Sequence, residues 1–146
     1  MTGPAHKRPV PGSALDAALA RVGDRWSFLL VEALLEGPRR FNELLEALPG
    51  MAPNILSDRL RRLERQRVIA SRPYSQRPAR LTYFLTQEGQ ELAGVLRLLA
   101  HWGAAGSAEA EGLRHLACGS ALEAEWFCPT CAHPVDEQEA SSLRYV

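Results

Sequence analysis

Between residues 13 and 102 the apolar positions follow helical spacing, interrupted once by a stretch of period two. Ser13 stands where it can cap a first helix, in which Leu15, Ala18, Leu19 and Val22 fall at i, i+3, i+4 and i+7 and Gly23 ends the run. Arg25–Leu35 is apolar on nearly every side, the pattern of a helix in the middle of a core. "GPRR" (37–40) breaks it, and a third helix of about eight residues follows with Phe41, Leu44, Leu45 and Leu48 on one face. "PGMAP" (49–53) reads as a turn, with Pro53 as the first residue of a fourth helix, where its missing N–H is not needed. On that helix Leu56, Leu60 and Leu63 form the inward stripe, and at about 100° per residue Asn54, Asp58, Arg61, Arg62 and Arg65 project away from it.

The period then changes. Val68–Arg72 and Arg80–Leu85 predict two strands, with Leu81, Tyr83 and Leu85 alternating inward. Between them lies a seven-residue loop with Pro73 and Pro78 at its ends and Arg77 near its tip. Thr86 can cap a last long helix carrying Leu92, Val95, Leu96, Leu99 and Trp102. Ala93 and Leu98 widen that stripe beyond what one core needs, which predicts packing on a second subunit. A short helix, a tight turn, an arginine-faced helix and two strands together predict a winged helix-turn-helix, a mainly α (α+β) fold with a two-stranded wing and a long C-terminal dimerisation helix.

Composition narrows the function classes. The N-terminal "MTGPAHKRPVPG" has no apolar segment of the kind a secretory signal needs, and the longest apolar run, "FLLVEALL", is interrupted by Glu32. A cytoplasmic protein with no membrane partner is expected. The formal charge of zero conceals an asymmetry: residues 1–100 hold 15 Lys/Arg against 10 Asp/Glu, and residues 101–146 hold 2 against 7. Within Arg59–Arg80 eight arginines face one acid, Glu64, the electrostatic footprint of a polyanion partner. No Gly-rich phosphate loop, nucleophile triad or paired-carboxylate site stands out, so an enzyme is not expected.

The three cysteines cluster behind this basic region. His115-x2-Cys118 and Cys128-x2-Cys131 make two paired half-sites, with His133 in reserve. Reduced thiolates and an imidazole in a set of four suit one structural, tetrahedral Zn2+ per chain. Leu122, Trp126 and Phe127 are too few to fold such a tail unaided, so a small zinc-ribbon-like module is expected. A dithiol redox switch at Cys128 and Cys131 is the alternative chemistry.

The stretch "ALARVGDRWSFLLVEALLEGPRRFNELLEALPGMAPNILSDRLRRLERQRVIASRPYSQRPARLTYFLTQEGQEL" closely resembles the HxlR-type family of bacterial winged-helix transcription regulators, roughly over Ser13–Trp102. "GDRWSFLLVEALLEGPRRFNEL", "LSDRLRRLE" and "YFLTQEGQEL" are its most specific pieces. The resemblance implies a homodimer joined by the first and last helices on a pseudo-palindromic operator. Three positions depart from the family pattern. Many members carry a cysteine near the start of the first helix, used in some for sensing oxidants or electrophiles, where this chain has Ser13. Ala52 replaces a frequent capping serine, and Arg67 stands where a glycine commonly ends the recognition helix.

The expected organisation is therefore a flexible arm (1–12), a winged-helix DNA-binding and dimerisation domain (13–106) and the zinc-ribbon-like module (107–146). With the fourth helix in the major groove of double-stranded DNA, Arg61 is placed to read guanine, Asn54 adenine and Ser57 either base. Asp58 can accept from cytosine or pair with Arg62 one turn on. Arg62 and Arg65, with Arg39 and Arg40 at the start of the third helix, are expected on phosphates. Arg72, Arg77 and Arg80 would bring the wing to the backbone, Arg77 reaching the minor groove. Trp26 is expected in the core, and Trp102 in a dimer interface or an effector pocket, the small-molecule effector itself staying open. Two other readings stand beside the regulator: a metal- or redox-responsive sensor switched through the C-terminal Cys/His cluster, and an adaptor using its acidic tail.

Overall fold

A computed structural model describes residues 12–107 and 112–135. The expected arm, apart from Gly12, and the last eleven residues of the tail lie outside the described residues. The chain divides into two compact units, 1–96 and 97–146, with the division inside the last long helix. It falls at Leu96, which packs against the core.

In the first unit, α1 (Ala14–Val22) starts at Ser13, whose hydroxyl accepts from the Asp16 amide, and α2 (Arg25–Leu35) starts at Asp24, whose carboxylate accepts from the Ser27 amide. α3 (Phe41–Ala47) and α4 (Pro53–Arg65) form the helix-turn-helix. α2 is the central element, as its all-round apolarity requires: Ser27, Leu30, Val31 and Leu34 are buried, and Trp26, Phe28, Leu29 and Leu35 pack on the same core. Val22 of α1, Leu44 of α3, Leu48, Met51, the Leu56/Leu60/Leu63 stripe of α4, Val68, Ile69 and Leu85 complete it.

The wing differs from its sequence reading. β2 (Ile69–Gln76) and β3 (Ala79–Leu85) pair antiparallel almost to the tip, Gln76 opposite Ala79, so the expected seven-residue loop shrinks to a turn at Arg77–Pro78. Pro73 is tolerated because β2 is an edge strand, and the register shifts between Pro73 and Ser75. A third strand, β1 (Arg39–Arg40), pairs with the other side of β3, giving the order β1-β3-β2. Inward alternation holds for Leu85 and partly for Tyr83, whereas Leu81 is exposed.

α5 (Gln87–Ala105) is capped by Thr86, whose hydroxyl accepts from the Gly89 amide. Ala93 is half-buried, but Val95, Leu98 and Leu99 are exposed and Trp102 is 76% exposed. Leu15 and Leu19 of α1 are also exposed. In the second unit a bridge between Arg114 and Ala121 and the hairpin β4 (Trp126–Cys128) with β5 (His133–Val135) are the only β pairings among the described residues. No helix among the described residues is long and apolar enough to cross a membrane.

Candidate nucleic-acid interface

α4 is held by its inner arginines and shows its outer ones. Arg59 Nε donates to Asp24 Oδ1 at 3.1 Å and its terminal nitrogen to Asp58 at 2.7 Å. Arg62 reaches the Ala20 carbonyl at 2.8 Å and stands 3.6 Å from the other Asp24 oxygen. One carboxylate thus caps α2, accepts from the fully buried Ser27 hydroxyl at 2.6 Å, and anchors α4. Burial alone would raise the Asp24 pKa. The hydrogen bonds from Ser27 and the nearby Arg59 guanidinium outweigh it and hold the group below its usual value.

With that side occupied, Asn54, Asp58, Arg61 and Arg65 are exposed along α4, and Ser57 is half-buried. Arg62 was expected among them and is instead turned toward α1 and α2. Asp58 pairs with its neighbour Arg59 rather than with Arg62. Arg39, expected on phosphate, donates to the Ala33 carbonyl at 2.9 Å and pairs with Glu36, closing the end of α2. Arg59 and its Asp24 partner are the pair that residue-type reasoning passed over; the signal was the "GD" before α2 facing an arginine repeat.

Two contacts join the wing to this surface. Ser71 donates to Glu64 at 2.6 Å, so the one acid in the arginine-rich stretch ties β2 to α4. Tyr83 is half-buried beside them; burial and then the Glu64 charge raise its pKa, and the Arg61 charge opposes the shift. At the start of α3 the exposed Arg40 lies 4.3 Å over the Tyr74 ring. There Arg40, Asn42, Tyr74, Arg80 and Leu81 line an open cleft of about 560 Å³. Arg77 and Arg80 are exposed at the wing tip. Arg72 lies 5.5 Å over Phe84, on the face of the sheet opposite Ser71. Arg40 in β1, Asn54, Ser57, Asp58, Arg61 and Arg65 on α4, and Arg77 and Arg80 on the wing therefore have side chains at least partly open to solvent.

In the second unit His115 Nδ1 and Cys118 Sγ are 3.3 Å apart, and the amide and thiol of Cys131 lower the pKa of the Cys128 thiol. Among the described residues no three His, Cys, Asp or Glu side chains share one metal-sized space. His133, opposite Cys128 in the hairpin, has Nδ1 2.5 Å from the Pro134 carbonyl.

Comparison with known proteins matches residues 21–111 to the HxlR-like helix-turn-helix family. The HTH-type transcriptional regulator YodB of Bacillus subtilis (strain 168) is 30% identical over 88 residues, covering 60% of this chain and 79% of its own. Rv3095, an uncharacterised HTH-type transcriptional regulator of Mycobacterium tuberculosis (strain ATCC 25618 / H37Rv), is 34% identical over 128 residues, 85% of this chain and 80% of its own. Residues 1–106 fall short of that coverage, so the likeness runs on into the tail. The solved structure of PA1374, a transcription-factor candidate from Pseudomonas aeruginosa, aligns with a TM-score of 0.67 at 31% identity, covering 84% of this chain and 86% of that one.

Proposed function

Because the chain belongs to the HxlR-like helix-turn-helix family of DNA-binding transcriptional regulators, we propose that it acts as a homodimer on a pseudo-palindromic operator, with α4 in the major groove and the wing on the backbone. The observation that carries this reading is the division of labour on α4. Arg59 and Arg62 are committed inward to Asp24 and Ala20, which leaves Asn54, Ser57, Asp58, Arg61 and Arg65 as the surface offered to a groove. A helix reads bases reproducibly only when its own roll is fixed, and the Asp24 anchor fixes it.

Within that surface Arg61 is assigned to guanine, through its two-pronged fit to O6 and N7, and Asn54 to adenine. Arg40, Arg65, Arg77 and Arg80 are assigned to phosphates, with Arg77 able to enter the minor groove from the wing tip. The exposed apolar residues of α1 (Leu15, Leu19) and α5 (Val95, Leu98, Leu99, Trp102) are assigned to the dimer. On either unit taken by itself, large apolar side chains left open to solvent are what an interaction surface offers. We assign residues 13–106 to this DNA-binding and dimerising part.

Selection of bound duplexes from a random pool by the full-length protein, followed by sedimentation of the complex, tests the proposal. Two inverted half-sites spaced by about one helical turn, 10–10.5 base pairs, with two chains per duplex are expected. An unenriched pool, or one chain on a single half-site, overturns it.

A further inference from the structure

Of the arginines expected on DNA, Arg39 and Arg62 are engaged in holding helices, and Arg72 is left without either task. Strand alternation puts Arg72 on the face of β2 opposite Ser71, and Ser71 is the residue that bonds to Glu64 of α4. Its side chain is therefore turned away from the recognition helix. It is exposed, and among the described residues no carboxylate pairs with it. Its contact is the Phe84 ring, with the guanidinium carbon 5.5 Å from the ring centre. An arginine stacked on an aromatic ring is held by its flat side, so its N–H edges stay available to a planar anion.

The stacked pair borders an open cleft of about 540 Å³, a size at which small molecules are bound. The buried Leu34 and Leu85 and the half-buried Phe84 and Ala93 form its apolar part, and the exposed Arg72 and Gln90 supply polar groups. All of these residues belong to the first unit. No Asp or Glu lines the cleft, and Glu36, two residues after Leu34, is engaged by Arg39. The cleft thus offers one positive charge beside an apolar wall. Two further arginine–aromatic pairs are placed differently. Arg40 on Tyr74 shares its cleft with Glu43 and a second arginine, Arg80, and Arg25 on Trp26 lies at the opposite end of α2 from Leu34.

We propose that this cleft binds one small aromatic carboxylate per chain. The ring packs on Phe84, Leu34, Leu85 and Ala93, and the carboxylate takes the paired N–H groups of the Arg72 fork, with the Gln90 amide as a further donor. Such an acid is already ionised at neutral pH, so no proton changes hands on binding. Neither half of the site is selective alone. An ion pair open to water contributes little, and an apolar wall distinguishes poorly among ring compounds. Side by side they select a ligand that has both a ring and a charge. The proposal does not rest on the operator reading, because the ligand is titrated in the absence of DNA.

The test is calorimetric titration of the full-length protein with 2-naphthoate, with 2-naphthamide as the ring without the charge and acetate as the charge without the ring. Naphthoate should bind once per chain, and each comparator about tenfold more weakly or worse. Arg72→Gln should lower naphthoate affinity by about tenfold or more and leave that of naphthamide as it was. Arg72→Lys should recover only part of the loss, since an ammonium carries the charge without the planar fork. Ala93→Leu, which fills the apolar part, should weaken both ring compounds. Arg25→Gln, at the other end of α2, should change nothing. The proposal is overturned by the lack of saturable binding below about 1 mM, by equal affinity for naphthoate and naphthamide, or by full affinity in Arg72→Gln. An equal loss with Arg25→Gln overturns it as well. So does binding that disappears as protein concentration rises, which would make a second copy of the chain the occupant of the cleft.

Discussion

The Asp24 carboxylate accepts from Arg59 Nε at 3.1 Å, so the residue that begins α2 also sets the orientation of α4. Asp24→Asn keeps the size of the side chain and removes the charge from hydrogen bonds with Ser27 and Arg59. It should cost about 1.5–3 kcal/mol of stability at neutral pH, the range for hydrogen bonds to charged groups. The sign of the pH dependence follows from the shift. The folded-state pKa lies below the ordinary 3.8, so the contribution is fully present above that value and is lost as pH falls through the folded pKa. Urea unfolding of both proteins at neutral pH and at pH values below 3.8 should show the gap between them narrowing in acid. A gap independent of pH would mean that the charge of Asp24 is not what holds α4.

Arg67 has φ +59° in the position that follows the C-cap Gln66 of α4. Its amide bonds back to the Glu64 carbonyl (2.9 Å) and that of Val68 to Leu63 (3.0 Å), the double closure usual where a helix ends in a left-handed residue. A side chain there costs about 1–2 kcal/mol, of which glycine returns part through its freer unfolded chain. Arg67→Gly should therefore raise stability by about 0.5–1 kcal/mol, readable as a higher midpoint of thermal unfolding. A lower midpoint would show that Arg67 makes contacts outweighing its backbone strain.

Gly89 and Gly94 lie on the same helix and should answer the same substitution with opposite signs. A Cβ on Gly89 would stand 2.0 Å from the Val68 carbonyl oxygen, whereas one on Gly94 would meet nothing within 4 Å. The Val68 carbonyl cannot retreat, because it accepts from both the amide and the hydroxyl of Thr86 and belongs to a buried residue. Gly89→Ala should destabilise by about 1–3 kcal/mol through the forced shift. Gly94→Ala should stabilise by about 0.5–1 kcal/mol through helix propensity. Chemical denaturation of the two variants checks both, and equal effects would mean that α5 does not seat on Val68.

Helices, caps and the wing's existence were legible because each has a local signal: the 3.6-residue stripe, Ser13 and Thr86 at the caps, Pro53 at the first turn of α4. What was not legible depended on partners distant in sequence. β1 is two residues long and has no alternation to read. Pro73 reads as a break, but its place on an edge strand cannot be known before the sheet order is. The helical wheel sent Arg62 outward because it gives the direction of Cβ; the long side chain carries its guanidinium back to Ala20. The outer face of α4 was read correctly apart from that residue, since Asn54, Asp58, Arg61 and Arg65 have short-range apolar neighbours to define the opposite side.

The exposed apolar residues of α5 give the dimer its test. Leu99→Glu puts a charge among Val95, Leu98 and Trp102 without touching the core, which α5 reaches through Leu92 and Leu96. The variant should keep its unfolding cooperativity, sediment as a single chain, and lose operator affinity. A Leu99→Glu protein that still sediments as two chains would place the dimer contact elsewhere.

Arg61 and Arg77 separate reading from holding. Arg61 projects from the exposed face of α4, where a recognition helix presents side chains to base edges. Arg77 sits at the wing turn, where its charge meets the backbone of any sequence. Arg61→Ala should cost about 1–3 kcal/mol on the selected operator, relax preference at one position and change nonspecific binding little. Arg77→Ala should weaken all duplexes alike and reduce the slope of log affinity against log salt by about 1. Fluorescence anisotropy on operator and scrambled duplexes across a salt series distinguishes the two. If both variants lose affinity equally on both duplexes, α4 is holding DNA without reading it, and the base contacts must come from another part of the chain.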